Sequence, residues 1–291
     1  MIARTSGAVV VTGCSSGIGR ACALDLAGAG YRVFAGVRTE QDASSLLAEA
    51  STALVPLQLD VRDEDSIAAA ARRIVEETGE AGLSALVNNA GVSASGPLEF
   101  LEVEELRNVS EVNLLGALRM VKSLLPQLRR GGGRIVNVGS GEAALATPAN
   151  GAYCMSKFAL EALTDTLRME VAPAGVRVIA VEPGGTQTRI LEKVSARFQE
   201  VRSSLPADGR DLYLDSIDAR ARMPEGAKLL PPESVARVIR RALEARRPKA
   251  RYFAGLDVRG AFLLGRFVPA PARDALLRLL FGFPGRRSDG G

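Results

Sequence analysis

Between a short apolar run at 8–12 and an amphipathic stretch that begins at Gly17, the chain reads Thr12-Gly13-Cys14-Ser15-Ser16-Gly17-Ile18-Gly19. Isolated glycines would mark no more than a flexible turn. Three of them at a strand–helix junction allow a tight turn, close backbone approach to an anion, and a helix N-terminus with free N–H groups. In that context the loop points to a pyrophosphate. It also constrains the fold, because such a loop works at the carboxyl end of a strand in an open α/β sheet.

The rest of the chain keeps the rhythm this requires. Strands are expected at 31–37, 53–59, 83–87, 134–138 and 177–181, with a seventh at 251–254. Helices are expected at 17–29, 63–78, 152–171 and 232–247, with Ser234 or Glu233 near the cap of the last. A long helix at 103–130 should bend or break near Pro126. Gly30 suits the left-handed close of the first helix, and Asp63, Glu64 and Asp65 sit where the dipole favours carboxylates. Segment 190–230 reads as a polar, irregular insertion with short helices, placed where a substrate lid would lie. Residues 255–291 form an extension with apolar helical segments around 261–283. Right-handed crossovers then give a doubly wound, mostly parallel seven-stranded sheet of Rossmann type, helices on both faces, as one domain over 1–291.

Proton chemistry is constrained by a gap in composition: the chain has no histidine, the usual proton carrier near neutral pH. Tyr153-Cys154-Met155-Ser156-Lys157 offers a substitute, since positions i and i+4 share one helix face. A nearby ammonium would favour the phenolate. The same pair could be an ordinary surface contact, but Ser140 stands thirteen residues before Tyr153 and adds a hydroxyl. Cys14, Cys22 and Cys154 form no CxxC pair and, without histidine, no metal-ligand pattern, so no metal is expected. They read as buried fillers, and Cys154 lacks a base for thiol catalysis.

The spacing Thr-Gly-x3-Gly-x-Gly resembles the short-chain dehydrogenase/reductase family, and the resemblance continues in order over about residues 8–188. Asp60 in Leu-Asp-Val61 follows the third strand, and Asn88-Asn89-Ala90-Gly91 the fourth. Asn113 lies in Val-Asn-Leu-Leu-Gly, then come Ser140, Tyr153, Lys157, Pro183-Gly184 and Thr188. The resemblance implies a carbonyl–alcohol oxidoreductase in which Tyr153 is the acid or base and Ser140 stabilises the substrate oxygen. Lys157 would tune the phenol and hold the nicotinamide ribose, and Asn113 would position a water. It implies cofactor contacts at Gly13, Ser15, Ser16, Gly17, Ile18 and Gly19, and at Asp60 and Val61 near the adenine. Further contacts fall at Asn89, Ala90, Gly91, Tyr153, Lys157, Pro183, Gly184 and Thr188. The chain departs from the family at Gly139, where another serine is common, which would loosen the loop through Gly141.

The second strand ends Gly36-Val37-Arg38, with no carboxylate for adenosine ribose hydroxyls. Arg38 can pair with a 2′-phosphate through its planar fork, helped by Ser15 or Ser16, which favours NADP(H) over a merely solvent-facing arginine. The extension and Tyr31-Arg-Val-Phe-Ala-Gly-Val-Arg resemble the hydroxysteroid and retinol dehydrogenase branch, implying a large apolar ketone or alcohol. Two rivals stay open: a ketoreductase of polyketide or acyl chains, and a non-catalytic NADP-binding sensor or scaffold. Aromatic residues are only 4% with no tryptophan, which argues against a nucleic-acid stacking platform. Residues 237–287 hold thirteen Lys/Arg against three acids, a solvated basic face or a peripheral contact with anionic membrane. The tail could instead pack on its own domain or within a homodimer or homotetramer. No signal-peptide run precedes the first strand and no apolar stretch is long enough to span a bilayer, so the cytoplasm is the default expectation.

Overall fold

The computed structural model describes residues 7–50, 53–226 and 229–281. Among them, seven parallel strands form one sheet in the order β3-β2-β1-β4-β5-β6-β7. The strands are β1 (Ala8–Val11), β2 (Arg32–Val37), β3 (Leu54–Gln58), β4 (Ala85–Asn88), β5 (Arg134–Val138), β6 (Arg177–Pro183) and β7 (Arg251–Ala254). Alternating side chains feed two cores, as strand geometry requires. Val9 and Val11 face one cluster with Leu26, Val235 and Ile239; Val10 and Phe34 face another with Leu86, Met120 and Leu124. β1 pairs with both β2 and β4, so winding reverses between them and opens a crevice at their carboxyl ends.

Helices α1 (Gly17–Gly28) and α2 (Glu40–Leu47) flank β2, and α3 (Glu64–Thr78) follows β3. Asp63 caps α3 by accepting the N–H groups of Asp65 and Ser66. The long helix expected between β4 and β5 is divided into α4 (Val103–Ser110), a π turn (Glu111–Leu115) and α5 (Gly116–Gly131). The interruption is at the π turn, not at Pro126. Pro126 is exposed on α5, so water can satisfy the carbonyl its ring leaves without a donor. At the π turn, Gly116 lies so close to Val61 that a Cβ would stand 2.7 Å from its Cγ2.

Helix α6 (Gly151–Glu170) precedes β6. The insertion expected to be irregular instead forms two long helices, α7 (Arg189–Ser204) and α8 (Ala207–Gly226). Phe198, Val201, Leu205 and Ile217 give this pair its own small core, and Tyr213 meets Phe100 edge-on at 5.9 Å. Helix α9 (Pro232–Glu244) starts after Pro231 with no side-chain cap, so neither Glu233 nor Ser234 fills that role. Pro232 at its first position leaves one fewer N–H to satisfy. Helices α10 (Leu256–Phe267) and α11 (Ala270–Leu280) close the described chain. Position 283 and the terminal arginines of the expected basic tail lie outside the described residues. The outer face of α10 and α11 leaves Leu256, Phe267 and Leu279 exposed beside Arg259, Arg266 and Arg278. No helix among the described residues is long and apolar enough to cross a membrane.

Candidate active site

The crevice beside β1 is built from backbone. Thr12 Oγ1 accepts the N–H groups of Asn89 and Ala90, each at 3.0 Å. In return Asn89 Nδ2 donates to the carbonyls of Thr12 at 2.9 Å and Gly13 at 3.2 Å. The segment after β4 therefore braces the glycine loop, and the Asn89 amide is spent on that brace. Gly13 adopts φ +72°, and a Cβ there would meet Ala90 Cα at 2.8 Å. At Gly19 a Cβ would stand 2.2 Å from the Gly13 carbonyl oxygen. The loop is thus bare backbone at a helix N-terminus, a cradle that fits a pyrophosphate. The Ser16 hydroxyl makes no capping bond to α1. Gly17 faces Thr188, where a Cβ would touch Thr188 Cγ2 at 3.0 Å. Ser15, Ser16, Gly17 and Thr188 line one cleft of about 1060 Å³.

Three sequence-derived cofactor positions have their side chains engaged within the protein. Val61 is buried in the second core, so its side chain packs instead of facing a ligand. Ile18 likewise packs against the first core. Asp60 is paired internally: Arg62 Nη2 donates to it at 2.7 Å, and the Arg62 hydrogen bonds hold its carboxyl below the usual range. Arg38 follows buried Val37, is exposed at the end of β2, and adds to the positive field on Asp60. Gly184 lies against Asp257, whose Oδ2 accepts the Gly185 N–H at 3.1 Å, which ties the turn after β6 to α10.

One strand further on, Ser140 leaves β5 and Tyr153 sits in the first turn of α6, with Lys157 one turn beyond. Burial pushes the Tyr153 phenol above its ordinary value; the Glu142 carboxylate adds to this, and a hydrogen bond with Ser140 opposes it. The chain's own groups therefore hold the phenol protonated, where the helix spacing alone pointed to a phenolate favoured by Lys157. The Lys157 ammonium lies 5.6 Å from the Tyr153 ring centre and donates to the Val138 carbonyl at 2.8 Å. Burial lowers its pKa to about 8, with Glu182 opposing. Asn113 lies in the π turn. Its amide exchanges two bonds with the Val92 backbone at 2.8 and 2.9 Å and donates to Ser156 Oγ at 2.9 Å. The three cysteines are buried and free, with thiols pushed up by burial, Cys154 to about 11.

Sequence reasoning missed a polar network behind this set. Glu142 accepts from Asn150 Nδ2 at 2.7 Å, from Arg220 Nη2 at 3.2 Å and from the Thr147 hydroxyl. Asn150 Oδ1 in turn accepts from Ser93 and Ser95. Arg220 also lies over the Phe281 ring at 5.2 Å, so α8 and the end of α11 meet at the loop that carries Ser140. On that loop Gly139 proves tightly packed: a Cβ there would stand 2.0 Å from Glu182 Oε2, so a side chain at 139 would have to displace that carboxylate. A lone acid in the apolar β6 was the available signal for Glu182.

A phosphate cradle at the switch point of a doubly wound sheet, with hydroxyl, phenol and ammonium groups one strand away, defines a dinucleotide-dependent oxidoreductase. The chain belongs to the short-chain dehydrogenase family, whose model matches residues 7–198, and within it to the retinol and hydroxysteroid dehydrogenase-like branch. It is 37% identical to human retinol dehydrogenase 5 over 277 residues, covering 92% of this chain and 87% of that protein. A short-chain dehydrogenase from Burkholderia cenocepacia, solved in complex with NADP, superposes with TM-score 0.73 at 26% identity and covers 96% of this chain and 99% of its own. A second, from Burkholderia phymatum in complex with NAD, gives TM-score 0.75 at 25% identity, covering 91% and 94%.

Proposed function

We propose that this chain is an NADP(H)-dependent oxidoreductase acting on the carbonyl or secondary alcohol of a large apolar substrate of steroid, retinoid or lipid type. The observation that carries the reading is the convergence of the Tyr153 phenol, the Ser140 hydroxyl at the end of β5 and the buried Lys157 ammonium, which lies 5.6 Å from the phenol ring and is anchored on the Val138 carbonyl at 2.8 Å. Bound nicotinamide supplies or accepts the hydride. Tyr153 gives its proton to the carbonyl oxygen in reduction and takes it from the alcohol in reverse. Ser140 donates to the same oxygen and stabilises charge developing there. Lys157 holds positive charge 5.6 Å from the phenol ring and would hold the ribose hydroxyls of a bound dinucleotide. Both Asn113 Nδ2 hydrogens are engaged, so a water it positions next to Lys157 would donate to the free lone pair of Oδ1 or to the widened π-turn backbone. The brace by Asn89 keeps Gly13, Gly17 and Gly19 shaped for a pyrophosphate, while Pro183, Gly184 and Thr188 would border the nicotinamide.

Two features support the finer assignments. The helix pair α7–α8 and the α10–α11 extension enclose the catalytic loop with apolar side chains, and the similarity to a retinol dehydrogenase fits an apolar substrate. Arg38 and the missing acid at Val37 support the phosphorylated cofactor. Replacing Arg38 by Asp should raise the NADPH dissociation constant roughly ten- to hundredfold, the value of one charge-assisted hydrogen bond, while NADH binding improves. Fluorescence titration with both cofactors checks this, and an unchanged preference would refute it. The reaction itself is tested by NADPH consumption against steroid, retinoid, aliphatic and β-ketoacyl carbonyls. Turnover confined to β-ketoacyl compounds would replace the substrate assignment. Cofactor binding without turnover on any of them would favour the sensor.

A further inference from the structure

β6 carries one acid, Glu182, in a strand otherwise apolar after its first residue. The side chain is 0% exposed. Its Oε2 accepts the backbone N–H of Ser140 at 2.6 Å. Among the described residues Oε1 has no hydrogen-bond partner and lies 3.8 Å from Arg251 Nε in β7. That guanidinium is engaged elsewhere, by Glu161 of α6. The carboxylate fills the space where any side chain at position 139 would begin. Burying a carboxylate with one oxygen unpaired is costly, and an apolar residue would suit this strand better.

We propose that Glu182 is a positioning residue for hydride transfer, clamping the Ser140 loop from beneath through its backbone N–H and holding the buried Lys157 ammonium in its charged form. The inference rests on the roles given above to Ser140 and Lys157. Geometry makes the arrangement local: Lys157 is anchored on the Val138 carbonyl, and Val138 pairs with Val181, the residue before Glu182. Burial acts to discharge Lys157, and Glu182 is the group that counters it. Among the described residues two other charged groups act on the acid, Arg251 from β7 with Nε 3.8 Å from Oε1 and Asp165 from α6 through like charge, and both have stronger partners of their own. From α6, Glu161 engages Arg251 and Asp165 engages Arg168; Arg266 of α10 weakens Arg251 through like charge. Tyr153, also on α6, is held neutral, and the Glu142 carboxylate acts on that phenol from the catalytic loop.

The variant Glu182→Gln keeps the shape and leaves an amide oxygen for the Ser140 N–H, but removes the charge. Burial raises the Glu182 pKa from 4.5 to about 7. A raised carboxyl pKa contributes stability that is full below 4.5 and lost as pH rises through 7. The glutamine variant should therefore melt several degrees above the parent at pH 8, with the gain shrinking toward pH 5. The same variant should lose at least about tenfold in kcat at pH 8. Measured as alcohol oxidation, its rate should fall off at lower pH than the parent's, because Lys157 loses its proton earlier; loss of the phenol proton cannot cause a fall in that direction. A second variant, Gly139→Ala, displaces the carboxylate without neutralising it, and should lower kcat with no gain in melting temperature.

A purely structural Glu182 predicts the opposite sign, with Glu182→Gln melting below the parent at pH 8, and that result would overturn the proposal. So would parent-like kcat and pH dependence in the glutamine variant. Failure of the functional reading looks different, since the parent itself would then turn over nothing; the melting comparison would still decide whether an ionised carboxylate is held there against its burial.

Discussion

Tyr153→Phe is expected to lower turnover by roughly 10²- to 10⁴-fold, the usual contribution of a positioned general acid, while NADPH affinity stays within about twofold. The substitution removes one oxygen and keeps the ring that packs 5.6 Å from the Lys157 ammonium. Ser140 loses its phenol partner, yet its Oγ still accepts the Glu142 N–H at 3.2 Å, so the loop keeps its shape. Moving a free phenol from about 10 to neutrality takes roughly 4 kcal/mol, and in this chain burial and Glu142 act against that shift. At neutral pH the phenol therefore carries the proton that reduction needs. Reduction should persist through neutral pH, with its alkaline decline set by Lys157, whose pKa of about 8 lies below that of the raised phenol. Single-turnover hydride transfer, followed by NADPH fluorescence, separates chemistry from cofactor binding. A phenylalanine variant within tenfold of the parent would remove Tyr153 from the role.

The sheet was legible because its order depends on local pattern. β5 and β7 fall where the apolar runs place them, and Asp63 caps α3 as an acid in that position should. The helices α7 and α8 were hidden by polarity. Arginine and acid side chains dominate the segment, although Val194, Phe198, Val201 and Leu205 recur at helical spacing and form the buried stripe. The π turn at Asn113 had no local signature; the tight approach of Gly116 to Val61, in the turn after β3, exists only in the folded chain. The electrostatics of the site were similarly out of reach. Tyr153 and Lys157 advertise themselves by spacing, but the groups acting on them come from afar: Glu182 lies 42 residues from Ser140, and Arg220 lies 78 from Glu142. Their contact is a property of the folded crevice, and so is the burial that, with Glu142 second, reverses the direction in which the tyrosine pKa had been expected to move.

Gly19→Ala should weaken NADPH binding by roughly ten- to hundredfold, an effect out of proportion to one methyl group. The added Cβ would stand 2.2 Å from the Gly13 carbonyl oxygen and 2.3 Å from Asn89 Nδ2, between the two partners of the 3.2 Å hydrogen bond that braces the loop. Neither atom can rotate away freely. One belongs to the backbone, and the other is also tied to the Thr12 carbonyl at 2.9 Å. The loop must shift, and overpacking of this kind costs about 1–3 kcal/mol of stability. The larger loss falls on the ligand, because a hydrogen bond to a charged group contributes about 1.5–3 kcal/mol and one misplaced loop N–H forfeits it. Gly28→Ala is the control in the same helix: a Cβ there meets nothing within 4 Å, so the change should be neutral or stabilising by up to about 1 kcal/mol. Calorimetric titration of both variants with NADPH, paired with thermal melts, distinguishes the cradle from general helix sensitivity. Parent-like affinity in Gly19→Ala would mean that the phosphates do not depend on the geometry of this loop.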